Sequence, residues 1–269
     1  MDRQFIIVGA QRSGTSYLHT VLDEHPEIEM ARPLAPEPKY FLRADFASMN
    51  RSDYESCYFG RKAGSVKRGE KSTSYMEFEL AARRIAGWYP EAQIIFILRH
   101  PAARAVSNYC FSRQNGLEQR PMAQAFAEEE ERRDDYDHRK LSASPFAYLK
   151  RGHYLDHIRM FERYFERRQL ILLIKEELTG NLGRIRALYR TLGVTDEFSP
   201  PSLGSAVNSA EEAAERPSAE VLGFLQSYFA ERIAALEGYL GRPIMVWRDQ
   251  SVPWGAVTNG ADPCNPTLA

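Results

Sequence analysis

The sequence predicts an α/β protein of three layers, a P-loop-like fold in which a central parallel β-sheet is flanked by helices. Three observations carry that expectation. The apolar runs Phe5-Ile6-Ile7-Val8, Ile94-Ile95-Phe96-Ile97-Leu98 and Leu170-Ile171-Leu172-Leu173-Ile174 are continuous rather than alternating, as in strands buried on both faces. Segments of helical periodicity separate them. The first run ends in a glycine-bounded loop, Gly9-Ala10-Gln11-Arg12-Ser13-Gly14-Thr15-Ser16, which opens directly into one of those segments. With 269 residues and 43% hydrophobic content the chain can bury a full core. One domain over 1–248 is favoured over two small ones, with 249–269 as an extended or mobile tail.

Taken in order, Gln4 to Val8 reads as a buried strand, far too short to span a bilayer and with no small-residue cleavage pattern after it. Tyr17, Leu18, Val21 and Leu22 recur at helical spacing up to His25-Pro26. The second run stops at Arg99-His100-Pro101, where proline suits the first turn of a following helix. Tyr154, Ile158, Phe161 and Phe165 form an amphipathic stretch ahead of the third run. From Pro217 to Leu240, a stripe of Leu222, Leu225, Phe229, Ile233, Leu236 and Leu240 predicts a late helix packed on the core. The charge run from Glu128 to Asp137 pairs Glu128 with Arg132 and Glu129 with Arg133 at i,i+4, the pattern of a solvated helix face.

Composition narrows the function. A net charge of −1 gives no support to a nucleic-acid binder, whose phosphate contacts need a strongly basic face, so any anion site must be local. Cys57, Cys110 and Cys264 are widely spaced and odd in number, which indicates unpaired thiols, a reducing cytoplasm and no disulfide framework. His153 and His157 lack a carboxylate or cysteine at a recognised ligand spacing, so solvent-facing histidines and no metal site are expected. No Gly-x-Ser-x-Gly elbow or His-Glu-x-x-His helix is present.

Chemistry enters at the first loop. Gly9 to Ser16 nearly satisfies the P-loop spacing, in which backbone N–H groups and a helix N-terminus cradle phosphate oxygens. Thr15 stands where a nucleotide triphosphatase carries lysine, and no strand ends in an aspartate placed to hold magnesium, so cleavage of a β–γ phosphate bond is poorly supported. Arg12, inside the loop, can supply positive charge from another angle.

Two segments carry a resemblance. Phe5 to Leu18 resembles the 5′-phosphosulfate-binding loop of sulfotransferases that use 3′-phosphoadenosine 5′-phosphosulfate (PAPS), especially the branch of heparan sulfate sulfotransferases and bacterial relatives. Ile97 to Tyr109 resembles that family's 3′-phosphate segment, an arginine at a strand end, Arg99, and a serine two helical turns later, Ser107. The physical logic holds without the family name, because a donor with a 5′-phosphosulfate and a separate 3′-phosphate needs two anion-binding places on neighbouring βα units. The resemblance extends more weakly through Gly152-His153-Tyr154 to Gly241-Arg242 and Trp247. It implies that Arg12, Ser13, Gly14, Thr15, Ser16, Arg99 and Ser107 bind the nucleotide.

Pro36-Glu37-Pro38-Lys39-Tyr40-Phe41 is similar to the family's Glu-Pro-His-Phe-Phe loop, which implies that Glu37 is the general base and places Lys39 where histidine is common. Glu70-Lys71-Ser72-Thr73-Ser74-Tyr75 resembles the family's Glu-Lys-Ser/Thr-Pro-x-Tyr element, which implies that Lys71 neutralises charge on the transferring group. Arg12 replaces the loop's usual lysine, keeping the charge in a planar fork, and the resemblance implies that Arg12 and Lys39 join Glu37 and Lys71 as catalytic residues. Asn208-Ser209 and Arg216-Pro217-Ser218 resemble a loop that closes over the nucleotide in bacterial relatives. The expected reading is therefore a cytoplasmic sulfotransferase with PAPS as co-substrate and no metal. Its partner is a hydroxyl-bearing acceptor, with no nucleic acid and no membrane insertion. A P-loop small-molecule kinase and a non-catalytic nucleotide-binding protein are the alternatives. The missing lysine at Thr15 weighs against the first, and charged residues at Glu37 and Lys71 weigh against the second.

Overall fold

Successive residues of a strand face opposite ways, and in this chain that alternation builds two cores on one sheet. A computed structural model describes residues 4–64, 67–132, 134–137, 141–205 and 215–248. Strands β1 (Gln4–Gly9), β2 (Ile28–Met30), β3 (Lys67–Lys71), β4 (Gln93–Leu98) and β5 (Leu170–Ile174) form a sheet in the order β2-β3-β1-β4-β5, with every pair parallel. The helices are α1 (Thr15–Asp23), α2 (Arg51–Tyr58), α3 (Glu79–Trp88), α4 (Pro101–Gln114), α5 (Met122–Ala127), α6 (Tyr154–Glu162), α7 (Lys175–Leu178), α8 (Leu182–Leu192) and α9 (Ala219–Leu240).

Ile6, Val8, Ile94, Phe96 and Leu98 pack on one face against α3, α6 and the end of α9. Phe5, Ile7, Ile95 and Ile97 pack on the other against α1 and α8. This is the three-layer arrangement expected from the apolar runs. A third apolar cluster joins α4, α5 and the start of α9 to Phe146, Tyr148 and Leu149. On α9 the expected stripe is graded, with Leu225, Phe229 and Leu236 buried and Leu222, Ile233 and Leu240 half-buried. That helix begins at Ala219, where the Ser218 hydroxyl accepts from the Val221 N–H.

Strand β3 reads Lys-Arg-Gly-Glu-Lys and is not among the strands the apolar runs predict, yet it lies between β2 and β1. Gly69 makes this possible, since a Cβ there would stand 2.2 Å from the Phe5 ring.

Two expectations are corrected. The charge run is not a solvated helix face, because α5 ends at Ala127. Glu129 is buried and accepts the Leu149 and Lys150 N–H groups, while Arg132 forks onto Glu118 at 2.7 and 3.2 Å. Arg133 lies outside the described residues. Nor are the two histidines solvent-facing. His153 Nε2 shares a 2.8 Å hydrogen bond with the Tyr228 hydroxyl, and burial pushes its pKa down to about 4. Burial likewise lowers the pKa of His157. Both pack as neutral rings.

Among the described residues no three His, Cys, Asp or Glu side chains gather as metal ligands, and no helix is long and apolar enough to cross a membrane. Cys57 is exposed and Cys110 is buried, and the two are not joined to each other. Cys264 and the segment 249–269 lie outside the described residues, as do Asn208 and Ser209.

Candidate active site

In an open parallel sheet the chain crosses from strand to helix at one edge, and ligands collect there. Here that edge frames a cavity of about 500 Å³, bordered by the chain that follows β1, β3, β4 and β5. The Ala10 N–H donates to the Ile97 carbonyl at 2.9 Å, which ties the first loop to β4. Gly14 is the residue before α1 and holds φ 85°, a left-handed conformation that glycine adopts without a Cβ penalty. No side chain caps α1 and its first turn carries no acid, so its N–H groups and dipole are left for an anion in the cavity. Gly14, Thr15 and Ser16 line that cavity. Ser13 does not, and its side chain is fully buried beneath the loop.

At one side of the cavity, Lys71 Nζ stands 3.0 Å from Glu37 Oε1. The Thr73 N–H donates to Glu37 Oε2 at 2.9 Å, and the Thr73 hydroxyl lies 3.1 and 3.0 Å from the two carboxylate oxygens. Lys71 also reaches to 3.5 Å from the Ser16 hydroxyl, so it spans the carboxylate and the start of α1. Lys39 lines the same cavity, and its N–H donates to the Ser72 hydroxyl at 2.9 Å.

At the other side, Arg12 Nε donates to the Ser107 hydroxyl at 3.2 Å, and its guanidinium lies 4.9 Å over the Phe111 ring. Arg99 Nη1 donates to the Arg12 carbonyl at 3.3 Å. Arg12 and Lys39 hold φ of 64° and 48°, and both are non-glycine residues in the left-handed region. Each costs about 1 kcal/mol or more there. Such strain collects where a site over-determines its backbone.

A second ring of contacts fixes this frame. The Tyr154 hydroxyl donates to the Arg99 carbonyl at 2.7 Å. Glu176 accepts the His100 N–H and the Trp247 indole N–H, both at 3.0 Å. These bonds give the weaker resemblance at Tyr154 and Trp247 a physical role.

Several lining groups escaped the sequence reading. Lys175 directly follows β5 and packs its stem 3.4 Å from where a Cβ on Gly14 would stand. Thr73 holds Glu37 by both N–H and hydroxyl. A strap at 141–145 crosses the cavity, tied to Ser74 through Ser142 at 3.1 Å and to Asn108 and Ser112 through the Pro145 carbonyl. Only the position of Lys175, a cation at a strand end, was a usable signal.

A parallel sheet whose edge gathers, among the described residues, an uncapped helix start, five cationic side chains and one carboxylate defines an enzyme that handles an anionic group. The sulfotransferase domain family matches residues 2–203, and the chain belongs to that family. It is 28% identical over 209 residues to the human "Bifunctional heparan sulfate N-deacetylase/N-sulfotransferase 2", covering 71% of this chain and 22% of that protein. It is also 28% identical over 190 residues to mouse "Heparan sulfate glucosamine 3-O-sulfotransferase 6", covering 68% and 51%. The chain thus spans about half or less of these relatives' length. The crystal structure of a sulfotransferase from Alicyclobacillus acidocaldarius superposes with a TM-score of 0.76 at 26% identity, over 92% of this chain and 99% of that one.

Proposed function

We propose that this sulfotransferase takes its sulfuryl group from PAPS and delivers it to a hydroxyl of a small-molecule, lipid or carbohydrate acceptor, with Glu37 as general base. The observation that carries the reading is the pair of cationic places on neighbouring βα turns, Lys71 with the start of α1 and Arg12 with Arg99 and Ser107. Two such places suit a nucleotide with phosphate-type charge at two ends. In this reading the N–H groups of α1 hold the 5′-phosphosulfate, while Arg99, Ser107 and Arg12 hold the 3′-phosphate.

The acceptor oxygen attacks sulfur as its proton passes to Glu37, a sulfur–oxygen bond forms, and the bond from sulfur to the bridging oxygen breaks. Negative charge then grows on the 5′-phosphate of the departing 3′,5′-bisphosphate nucleotide (PAP). Lys71, already between Glu37 and Ser16, turns to that oxygen and stabilises it. Lys39 adds charge on the acceptor side. The relatives' names carry heparan sulfate, whereas this chain's net charge of −1 favours a small metabolite, lipid or natural-product hydroxyl. The odd number and wide spacing of the three cysteines favour a cytoplasmic setting in this reading.

The test is calorimetric titration with PAP in chelator, alongside thermal melts. PAP binds without divalent metal and raises the melting temperature, as linkage requires. A strict magnesium requirement, or stabilisation by ATP but not by PAP, would overturn the reading.

A further inference from the structure

Behind the cavity, and not lining it, Glu70 is fully buried in β3, paired in register with Ile6 of β1. A carboxyl at the middle of a sheet is costly to desolvate, and an apolar side chain would serve the packing better. Burial raises its pKa, as desolvation of a carboxylate does. What occupies its oxygens is specific. The Ser72 hydroxyl donates to Oε1 at 2.6 Å and the Tyr54 hydroxyl to Oε2, with the Tyr75 hydroxyl beside them.

Two of those three hydroxyls have a second task. Ser72 Oγ accepts the Lys39 N–H at 2.9 Å, and the Tyr75 oxygen accepts the Phe41 N–H at 3.1 Å. A hydroxyl has one proton and rotates freely, so an acceptor for that proton fixes how its lone pairs face the loop. Residues 33–38 have no helix or strand of their own, and Lys39 is strained, so these anchors fix the backbone just after Glu37, whose carboxylate Thr73 and Lys71 hold directly. We propose that Glu70 is a positioning residue, which fixes the Ser72 and Tyr75 hydroxyls so that they hold the Glu37 loop at the distance proton abstraction needs. The inference rests on Glu37 being the base.

The test is a set of double-variant cycles, read in single-turnover sulfation with saturating PAPS. Ser72→Ala and Tyr75→Phe each remove one grip while leaving Glu70 two hydroxyls, so both are expected to fold. Each lowers turnover by about ten- to a hundredfold, the scale of a misplacement of about 1 Å, with PAP affinity within about twofold of wild type. Glu70→Gln lowers it further, because its amide protons meet hydroxyls already committed as acceptors. In a Glu37→Gln background all three losses vanish, since no base remains to be placed. Losses that multiply in that background, or PAP affinity that falls in step with turnover, would show a purely structural role and overturn the proposal. Near-normal turnover in Glu37→Gln alone removes the base assignment itself, so the two failures read apart.

Discussion

Glu37→Gln is the sharpest single perturbation, because the four contacts to this carboxylate come from groups of known donor character. Oε1 faces the Lys71 ammonium at 3.0 Å and Oε2 faces the Thr73 N–H at 2.9 Å. A glutamine offers one acceptor oxygen and one NH₂, so it satisfies either Lys71 or the Thr73 N–H and points protons at the other. The ion pair it erases is worth about 1 kcal/mol in water and about 5 kcal/mol at an effective dielectric of 20. That energy frees Lys71 for an anion, so the sign for PAP is equal or tighter binding. Proton affinity is lost, and turnover falls about a hundredfold or more, the usual contribution of a general base. Single-turnover sulfation with saturating PAPS gives the rate, and calorimetry gives the PAP affinity. Near-normal turnover would refute the base, and weaker PAP binding would refute the electrostatic argument by placing Glu37 in the nucleotide frame.

Arg99→Ala weakens PAP far more than adenosine 5′-phosphate, because only PAP carries the 3′-phosphate; equal losses in calorimetry would move Arg99 out of that place. Gly14→Ala forces a Cβ into φ 85° beside the Lys175 stem, costing about 1–2 kcal/mol of stability and weakening PAP; unchanged melting and binding would show that the turn is not needed. His19 is buried, and desolvation pushes its pKa down to about 4. Between pH 6.5 and 4 the unfolded chain binds a proton that the folded ring refuses, so His19 contributes stability above pH 6.5 that is lost as pH falls, about 3 kcal/mol by pH 4. Denaturant melts across that window should show a shallower slope for His19→Gln than for wild type, and identical slopes would refute the assignment.

The sequence made the site legible wherever chemistry sits on an apolar scaffold. Strands β1, β4 and β5 announce themselves by continuous Ile, Leu and Val, and the loops that end β1 and β4 supply Arg12 and Arg99. Strand β3 was hidden because hydrophobicity is a proxy for burial, and there burial is achieved by pairing. Glu70 is sunk among hydroxyls, and Lys71 is matched by Glu37. The same substitution of pairing for apolarity concealed Glu129 and Arg132, whose partners Leu149, Lys150 and Glu118 lie 14 or more residues away. The strap at 141–145 reaches the cavity only through tertiary contacts, which no local spacing encodes, whereas Lys175 stands at the end of a predicted strand.

The strand order also sets a timetable for synthesis. Strand β1 sits in the middle of the sheet, between β3 and β4, so Phe5 to Val8 leaves the ribosome ahead of both neighbours and is among the last to be enclosed. Its second neighbour ends at Leu98, and the helix that covers Phe5 and Ile7 beside α1 begins only at Leu182. At about 5–20 residues per second, β1 waits roughly 5–20 s for a complete pairing and longer for its full cover. During that interval a short, uncharged, β-prone segment is available to chaperones and to other nascent chains. The pace of translation between β1 and β4 therefore bears on yield in a cell, independently of how stable the finished enzyme is.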